Sequence, residues 1–296
     1  MLVLMGATWG LQVAMLKLAL GPAYNEQQVI LYTLILVGLA YFVILLVRKG
    51  LFGFNKSHIV FFMVTSILGY LIPMGATLFA SRELPAGLLV FLVSMSPLFT
   101  FATAILLKTE KVSGLRRGAL IFGTIAAIMI AWPEFQLPGF GALPWMLVGL
   151  LIPLCYGVES IYIDKFWPEN LDVFQIGFGE VIFAIILLLP FMLFSNTPIF
   201  IPIEWNISTL AVLIFAVCGL FEVVMYFHLI QTTGGVLVSF ATFVSLFAGI
   251  GWGILIFSES HNNWVWFAVL LLVVALILVS LDTYQRNRRI DPTHPA

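Results

Sequence analysis

Three carboxylates fall inside long apolar stretches of this 296-residue chain: Glu159, Glu180 and Glu222. An ionised group at the depth of a lipid bilayer costs at least about 2.5–3.5 kcal/mol, so it ordinarily faces a cavity or a partner. Glu222 is the deepest, and Tyr226 follows it by four residues, so on a helix both share a face. This pair suits a substrate anchor or a proton-carrying carboxylate. The competing reading is a structural Glu bonded to a hydroxyl or amide of a neighbouring helix. Glu159 shares a face with Tyr156 and reads either as a site residue or as a carboxylate reaching the inner interface. Glu180 sits about two turns from the end of its stretch and reads as structural. Lys17 is either a cation whose stem snorkels outward or a gate near an outer mouth.

Uncharged polar and aromatic groups form a second set. Thr8 and Gln12 lie one turn apart with Trp9 beside them, and Ser94 and Thr242 occupy comparable places in two later stretches. Hydroxyls in membrane helices commonly bond their own backbone or an adjacent helix, which is the plainer reading for Ser94 and Thr242. Trp9, Tyr70, Tyr156, Tyr162, Tyr226 and Trp252 are candidates to line a cavity. Aromatic faces beside carboxylates suit an amine-bearing solute through cation–π attraction and charge pairing. The candidate substrate-binding residues are thus Trp9, Gln12, Tyr70, Ser94, Tyr156, Glu159, Glu222, Tyr226, Thr242 and Trp252, with Lys17 and Glu222 as gate or coupling residues. Pro73, Pro97 and Pro153 fall inside apolar stretches, where each removes a backbone donor and favours a kink.

Enzyme chemistry lacks a comparable signature. Neither His-Glu-x-x-His nor Gly-x-Ser-x-Gly is present, and no glycine loop for a nucleotide is found. Cys155 and Cys218 both lie in apolar segments without zinc spacing, so no metal, cofactor or disulfide is expected. A net charge of −1 gives no basic field for nucleic acid.

The elements that must position these residues are membrane helices. The chain is 62% hydrophobic and 9% charged, where soluble domains carry about 25% charged residues. A spanning helix needs roughly 20 mostly apolar residues, which predicts ten: 2–19, 28–47, 59–80, 84–107, 118–132, 143–163, 173–194, 208–230, 236–257 and 264–281. The first reads better as a spanning helix than as a signal peptide, because no charged leader precedes it. The fifth is short and is expected to gain length from the snorkelling stems of Arg116 and Arg117. With the N-terminus inside, the inner loops and tail hold Arg48, Lys49, Lys56, Lys108, Lys111, Arg116, Arg117, Lys165, Arg286, Arg288 and Arg289, nearly all of the 13 basic residues. Arg82 alone falls in an outer loop. This alternation obeys the positive-inside rule and places both termini in the cytoplasm. Trp145, Trp205, Trp264 and Trp266 sit at helix ends as interface anchors.

The chain also repeats itself. Trp9-Gly10, Gln12 and Lys17 match Tyr156-Gly157, Glu159 and Asp164 at an offset of 147. Ser96-Pro97-Leu98-Phe99 running to Glu110 matches Val244-Ser245-Leu246-Phe247 running to Glu259, at an offset close to the first. A repeat of five helices must enter the membrane upside down in its second copy, the organisation of many secondary transporters. The expected units are residues 1–132 and 141–282, followed by a flexible cytoplasmic tail at 283–296. Trp9-Gly10 with Lys17, the Ser94–Phe99 run and Glu110 resemble the EamA-type drug/metabolite transporter superfamily, and the segment ending in Glu259 resembles its second domain copy. Ser245 departs from the Pro that the first copy carries. The resemblance implies an all-α fold of ten helices in two inverted repeats. It also implies a central cavity lined by helices 1, 3, 4, 6, 8 and 9, with helices 5 and 10 peripheral.

The function expected is secondary transport by alternating access in a bacterial inner membrane, exporting amino acids or other small amphiphilic metabolites or drugs. A passive facilitator or channel is the alternative. The expected partners are a small-molecule substrate, the lipid bilayer and protons as coupling ion, with a monomer or homodimer as the assembly.

Overall fold

The computed structural model describes residues 1–20, 24–81, 83–84, 89, 92–109, 113–131, 143–199, 204–258 and 263–290. Arg82, Glu110, Lys111, Trp132 and Glu259 lie outside the described residues, as do the side chains of Arg286, Arg288 and Arg289. Among the described residues every regular element is helical: α1 (Leu2–Ala19), α2 (Glu26–Val47), α3 (Lys56–Ala80), α4 (Leu92–Leu107), α5 (Gly114–Ala131), α6 (Leu143–Phe166), α7 (Val173–Phe194), α8 (Ile207–Thr233), α9 (Gly235–Phe257) and α10 (Asn263–Ile290). Eight of these are long and apolar enough to cross a membrane, and α4 is a shorter apolar helix. Large apolar side chains such as Val47, Leu106, Phe194, Leu255 and Phe267 point outward and stay exposed, as a lipid-facing surface requires.

Local sequence sets the helix starts in a paired way. Asn25 and Gln28 form a capping box at α2, each side chain bonding the other's backbone N–H at 3.0 Å. Asp172 and Gln175 form the same box at α7, at 2.9 and 2.8 Å. These boxes stand 147 residues apart, the offset already seen between Trp9-Gly10 and Tyr156-Gly157. Asn55 and Asn206 cap α3 and α8 alike, each accepting from the backbone N–H three residues on. Lys108 and Ser258 close α4 and α9 in the left-handed conformation.

Packing follows the same pairing. α1 lies along α8 and α9, while α6 lies along α3 and α4. α2 packs on α7 and α8, α7 also packs on α3, and α5 pairs with α10. Exchanging α1–α5 with α6–α10 leaves this pattern of neighbours intact. Glycines permit the closest approaches. A Cβ on Gly10 would lie 2.8 Å from the Gly249 N and the Ser245 O of α9; one on Gly157 would lie 2.6 Å from the Thr100 N of α4. The aromatic-Gly repeat is therefore a pair of backbone contacts.

Two expectations about Arg116 and the C-terminal segment change. Arg116 does not snorkel: it is 2% exposed, and its Nε donates to Asp282 Oδ2 at 2.7 Å, tying α5 to α10. A partner inside the protein outcompetes the interface because it supplies an opposite charge and a hydrogen bond together. Nor does a flexible tail begin at residue 283, since α10 continues helical to Ile290.

Candidate functional site

A cavity of about 270 Å³ lies between α1, α2 and α3 on one side and α6, α7 and α8 on the other, with α4 and α9 completing the wall. The expected lining omitted α2 and α7, yet α2 contributes Glu26 and Thr33 and α7 contributes Glu180. α5 and α10 contribute no described lining residue, as the peripheral position implied.

At its centre the repeat-related aromatics meet. Trp9 of α1 and Tyr156 of α6 stand edge-on, ring centroids 6.5 Å apart with an interplanar angle of 77°. Gln12 reaches the carboxyl of Glu222, while its Nε2 contacts the Phe215 carbonyl at 3.5 Å. Glu159 approaches both the carboxyl of Glu180 and the phenol of Tyr226. Glu159 is 5% exposed and Glu180 3%. Glu222 and Tyr226 share the cavity face, as their spacing of four predicted.

The bed beneath Glu159 is unusual backbone. Residues Ile67–Leu71 of α3 form a π-helical turn in which the Ile72 N–H reaches back to the Ile67 carbonyl. Pro73 follows and has no N–H to offer the Gly69 carbonyl, so the ordinary ladder is interrupted there. The turn brings Tyr70 into the cavity and lays Gly69 against Glu159, whose Oε1 lies only 2.5 Å from where a Cβ of residue 69 would stand. Such turns gather at functional sites, and here one gives a carboxylate its seat.

A second cavity of about 470 Å³ adjoins the first, sharing Trp9, Thr77 and Thr242 with it. Lys17, Ser94, Leu89 and Phe257 line it, so it runs toward the end of the bundle where α1 and α9 finish. The Lys17 ammonium stands 4.2 Å from the Phe257 ring centroid, a cation–π contact at that mouth. The first cavity reaches the same end through Glu26, at the start of α2. Beneath it, at the opposite end, Phe61, Phe62, Tyr162, Phe166, Trp167 and Phe227 interlock, with Phe61 stacked on Tyr162 at 5.7 Å.

Among the sequence candidates, Trp9, Gln12, Tyr70, Tyr156, Glu159, Glu222, Tyr226 and Thr242 come together in the first cavity, and Lys17 and Ser94 in the second. Thr242 spends its hydroxyl on the Ser239 carbonyl at 2.8 Å, following the plainer reading for membrane hydroxyls. Trp252 lines neither cavity: its indole N–H donates to the Ala7 carbonyl at 3.2 Å and pins α9 to α1. Tyr162 belongs to the aromatic cluster instead.

Glu180, for which the sequence suggests a structural role, lines the cavity, as do Thr33 and Glu26, which carry no such signal on their own. The signal for Glu180 lay in the repeat. Thr33 is its counterpart at offset 147, as Gln12 is that of Glu159. Glu159 and Glu180 of the second half thus stand where the first half carries the neutral polar Gln12 and Thr33. Glu180 Oε1 and Thr33 Oγ1 share a further property: both are buried without a hydrogen-bond partner. Leaving a buried polar atom unpaired costs about 1–3 kcal/mol, and few native atoms do so.

Comparison with known proteins agrees with this architecture. A crystal structure of a protein 16% identical in sequence superposes with a TM-score of 0.76, covering 95% of this chain and 98% of that one, which establishes likeness of fold. No curated protein matches the sequence. The sequence profile of the EamA-like transporter family matches at residues 1–132 and again at 143–281, one copy for each half. The chain is therefore a membrane protein belonging to the EamA-like transporter family.

Proposed function

We propose that the chain is a secondary transporter working by alternating access, with ten membrane-crossing helices in two inverted halves. The observation that carries this reading is the cavity itself. It lies between the halves, is built around the repeat-related pair Trp9 and Tyr156, and reaches one end of the bundle while an aromatic cluster fills the other. Exchange of the two halves' packing would close the first end and open the second, as inverted repeats permit. The exchangeable pattern of helix neighbours and the matched capping boxes support the inversion. α4 is interrupted at Met95 and α9 at Phe240, and discontinuous helices are a recurring feature of such carriers.

In this reading Trp9, Gln12, Tyr70, Tyr156, Glu159, Glu222, Tyr226 and Thr242 contact the solute. Glu180 joins them, and Ser94 and Lys17 attend the outer mouth. The solute is a small amphiphilic metabolite, amino acid or drug, and export is the direction the family resemblance implies. Both termini face the cytoplasm of a bacterial inner membrane, following the charge bias of the loops. Protons serve as coupling ion through Glu222. The test is Glu222→Gln in proteoliposomes. Transport is lost, or its pH dependence disappears, while the protein remains folded in the membrane. Wild-type flux with unchanged pH dependence removes Glu222 from the mechanism.

A further inference from the structure

The described lining of the central cavity contains four carboxyls, from Glu26, Glu159, Glu180 and Glu222, and no Lys, Arg or His. Three of these face inward from consecutive helices α6, α7 and α8. The titratable groups that surround them carry no positive charge in any protonation state: Tyr41 from α2, Tyr70 from α3, Cys155 and Tyr156 from α6, and Cys218 and Tyr226 from α8. α1 offers the neutral Gln12, while α4 and α9 offer hydroxyls. Lys17, the nearest lining cation, belongs to the neighbouring cavity at the outer end. Negative charge on this cluster must therefore be offset by a cation that the site does not itself supply.

Two further observations point to a ligand. Glu180 and Thr33, at related positions, both line the cavity, and the Glu180 Oε1 and Thr33 Oγ1 are buried without a hydrogen-bond partner. Five aromatic residues, Trp9, Tyr70, Tyr156, Phe215 and Tyr226, line the same cavity, and aromatic rings attract a cation. A zwitterion would bring its own carboxylate into a cavity that already holds three inward-facing acids and no basic side chain to receive it.

We propose that the cavity selects a small aromatic or alkyl ammonium ion over the corresponding amino acid, and that each positive charge bound displaces one proton from the Glu159, Glu180 and Glu222 cluster. No covalent bond changes. The ammonium takes over the neutralising role, and the displaced proton leaves by the open mouth. Applied to the carrier reading, on which the transport consequence alone rests, amine and proton move in opposite directions.

A matched series on the purified wild-type protein in detergent tests this: phenethylammonium, phenylalanine, 2-phenylethanol and phenylacetate. Binding is read by tryptophan fluorescence, and protons by a pH indicator in weak buffer. Phenethylammonium is expected to bind at least about tenfold more tightly than phenylalanine, to release close to one proton per ion, and to bind more tightly as pH rises because fewer protons compete. The triply substituted Glu159→Gln/Glu180→Gln/Glu222→Gln protein should lose the proton release. Equal binding of phenylalanine, binding without proton release, or no binding by any of the four overturns the proposal. Ammonium binding with proton release, but without flux in proteoliposomes, overturns the carrier reading and leaves the ion site standing.

Discussion

Gly157→Ala is the substitution for which the structure gives the firmest magnitude. A Cβ at position 157 would stand 2.6 Å from the Thr100 N and 2.8 Å from both the carbonyl carbon and the Cβ of Phe99. Two of these atoms are backbone of α4, so no rotamer change relieves the clash. Restoring an ordinary separation of about 3.5 Å requires α4 to move away from α6 by roughly 0.9 Å. Forcing one extra methyl into a packed contact costs about 1–3 kcal/mol. At roughly 2–4 °C per kcal/mol, the melting temperature should fall by roughly 2–12 °C. Gly75→Ala is the control, because a Cβ there meets nothing within 4 Å. It should leave melting unchanged or raise it, given alanine's advantage of about 1 kcal/mol in a helix. Gly10→Ala should behave like Gly157→Ala, since its Cβ meets α9 backbone at 2.8 Å. Thermal unfolding of the detergent-solubilised protein decides the matter. A Gly157→Ala protein melting within about 1 °C of wild type, or a Gly75→Ala protein falling as far, would refute the reading of the repeated glycine as a close contact.

Three other outcomes are expected. Arg116→Ala leaves the buried Asp282 without the guanidinium that pairs with it and should cost about 3–5 kcal/mol, while Arg116→Leu/Asp282→Leu should recover much of that; thermal unfolding of both variants measures it. Gly69→Ala should disturb function more than folding, because the three atoms nearest its Cβ all belong to the Glu159 carboxyl, the far end of a side chain; unchanged melting with weakened ligand binding is the expected pattern. A fluorescent protein fused after α10 should glow in the cytoplasm, and alkaline phosphatase inserted at residues 196–199 should be active outside; the reverse pattern would invert the orientation assigned from loop charge.

Much of the architecture was legible because membrane helices announce themselves by length and apolarity. The pairing Trp9-Gly10 with Tyr156-Gly157 was visible as a repeat, although its meaning, two glycine seats and one aromatic contact, needed coordinates. Glu222 with Tyr226 followed from helical spacing alone. Glu180 was misread because α7 is apolar on all sides, and such a helix does not reveal which face meets a cavity. Trp252 was misread for a related reason: an aromatic residue within a cavity helix has several faces to choose from, and the Ala7 carbonyl claimed its N–H. The Arg116–Asp282 pair joins positions 166 residues apart, beyond the reach of any local pattern. The π-helical turn under Glu159 had one clue, Pro73, which signalled an interrupted ladder without saying how the chain would accommodate it.

In the proposed transport cycle a single cavity serves both faces of the membrane in turn. Counterflow measures this most directly. Proteoliposomes are loaded with unlabelled phenethylammonium and diluted into buffer holding a trace of the labelled ion. Alternating access predicts a transient accumulation of label above its equilibrium level, which then decays as the outward gradient dissipates. Label that enters only to equilibrium, with no overshoot, would contradict alternating access and favour a passive facilitator.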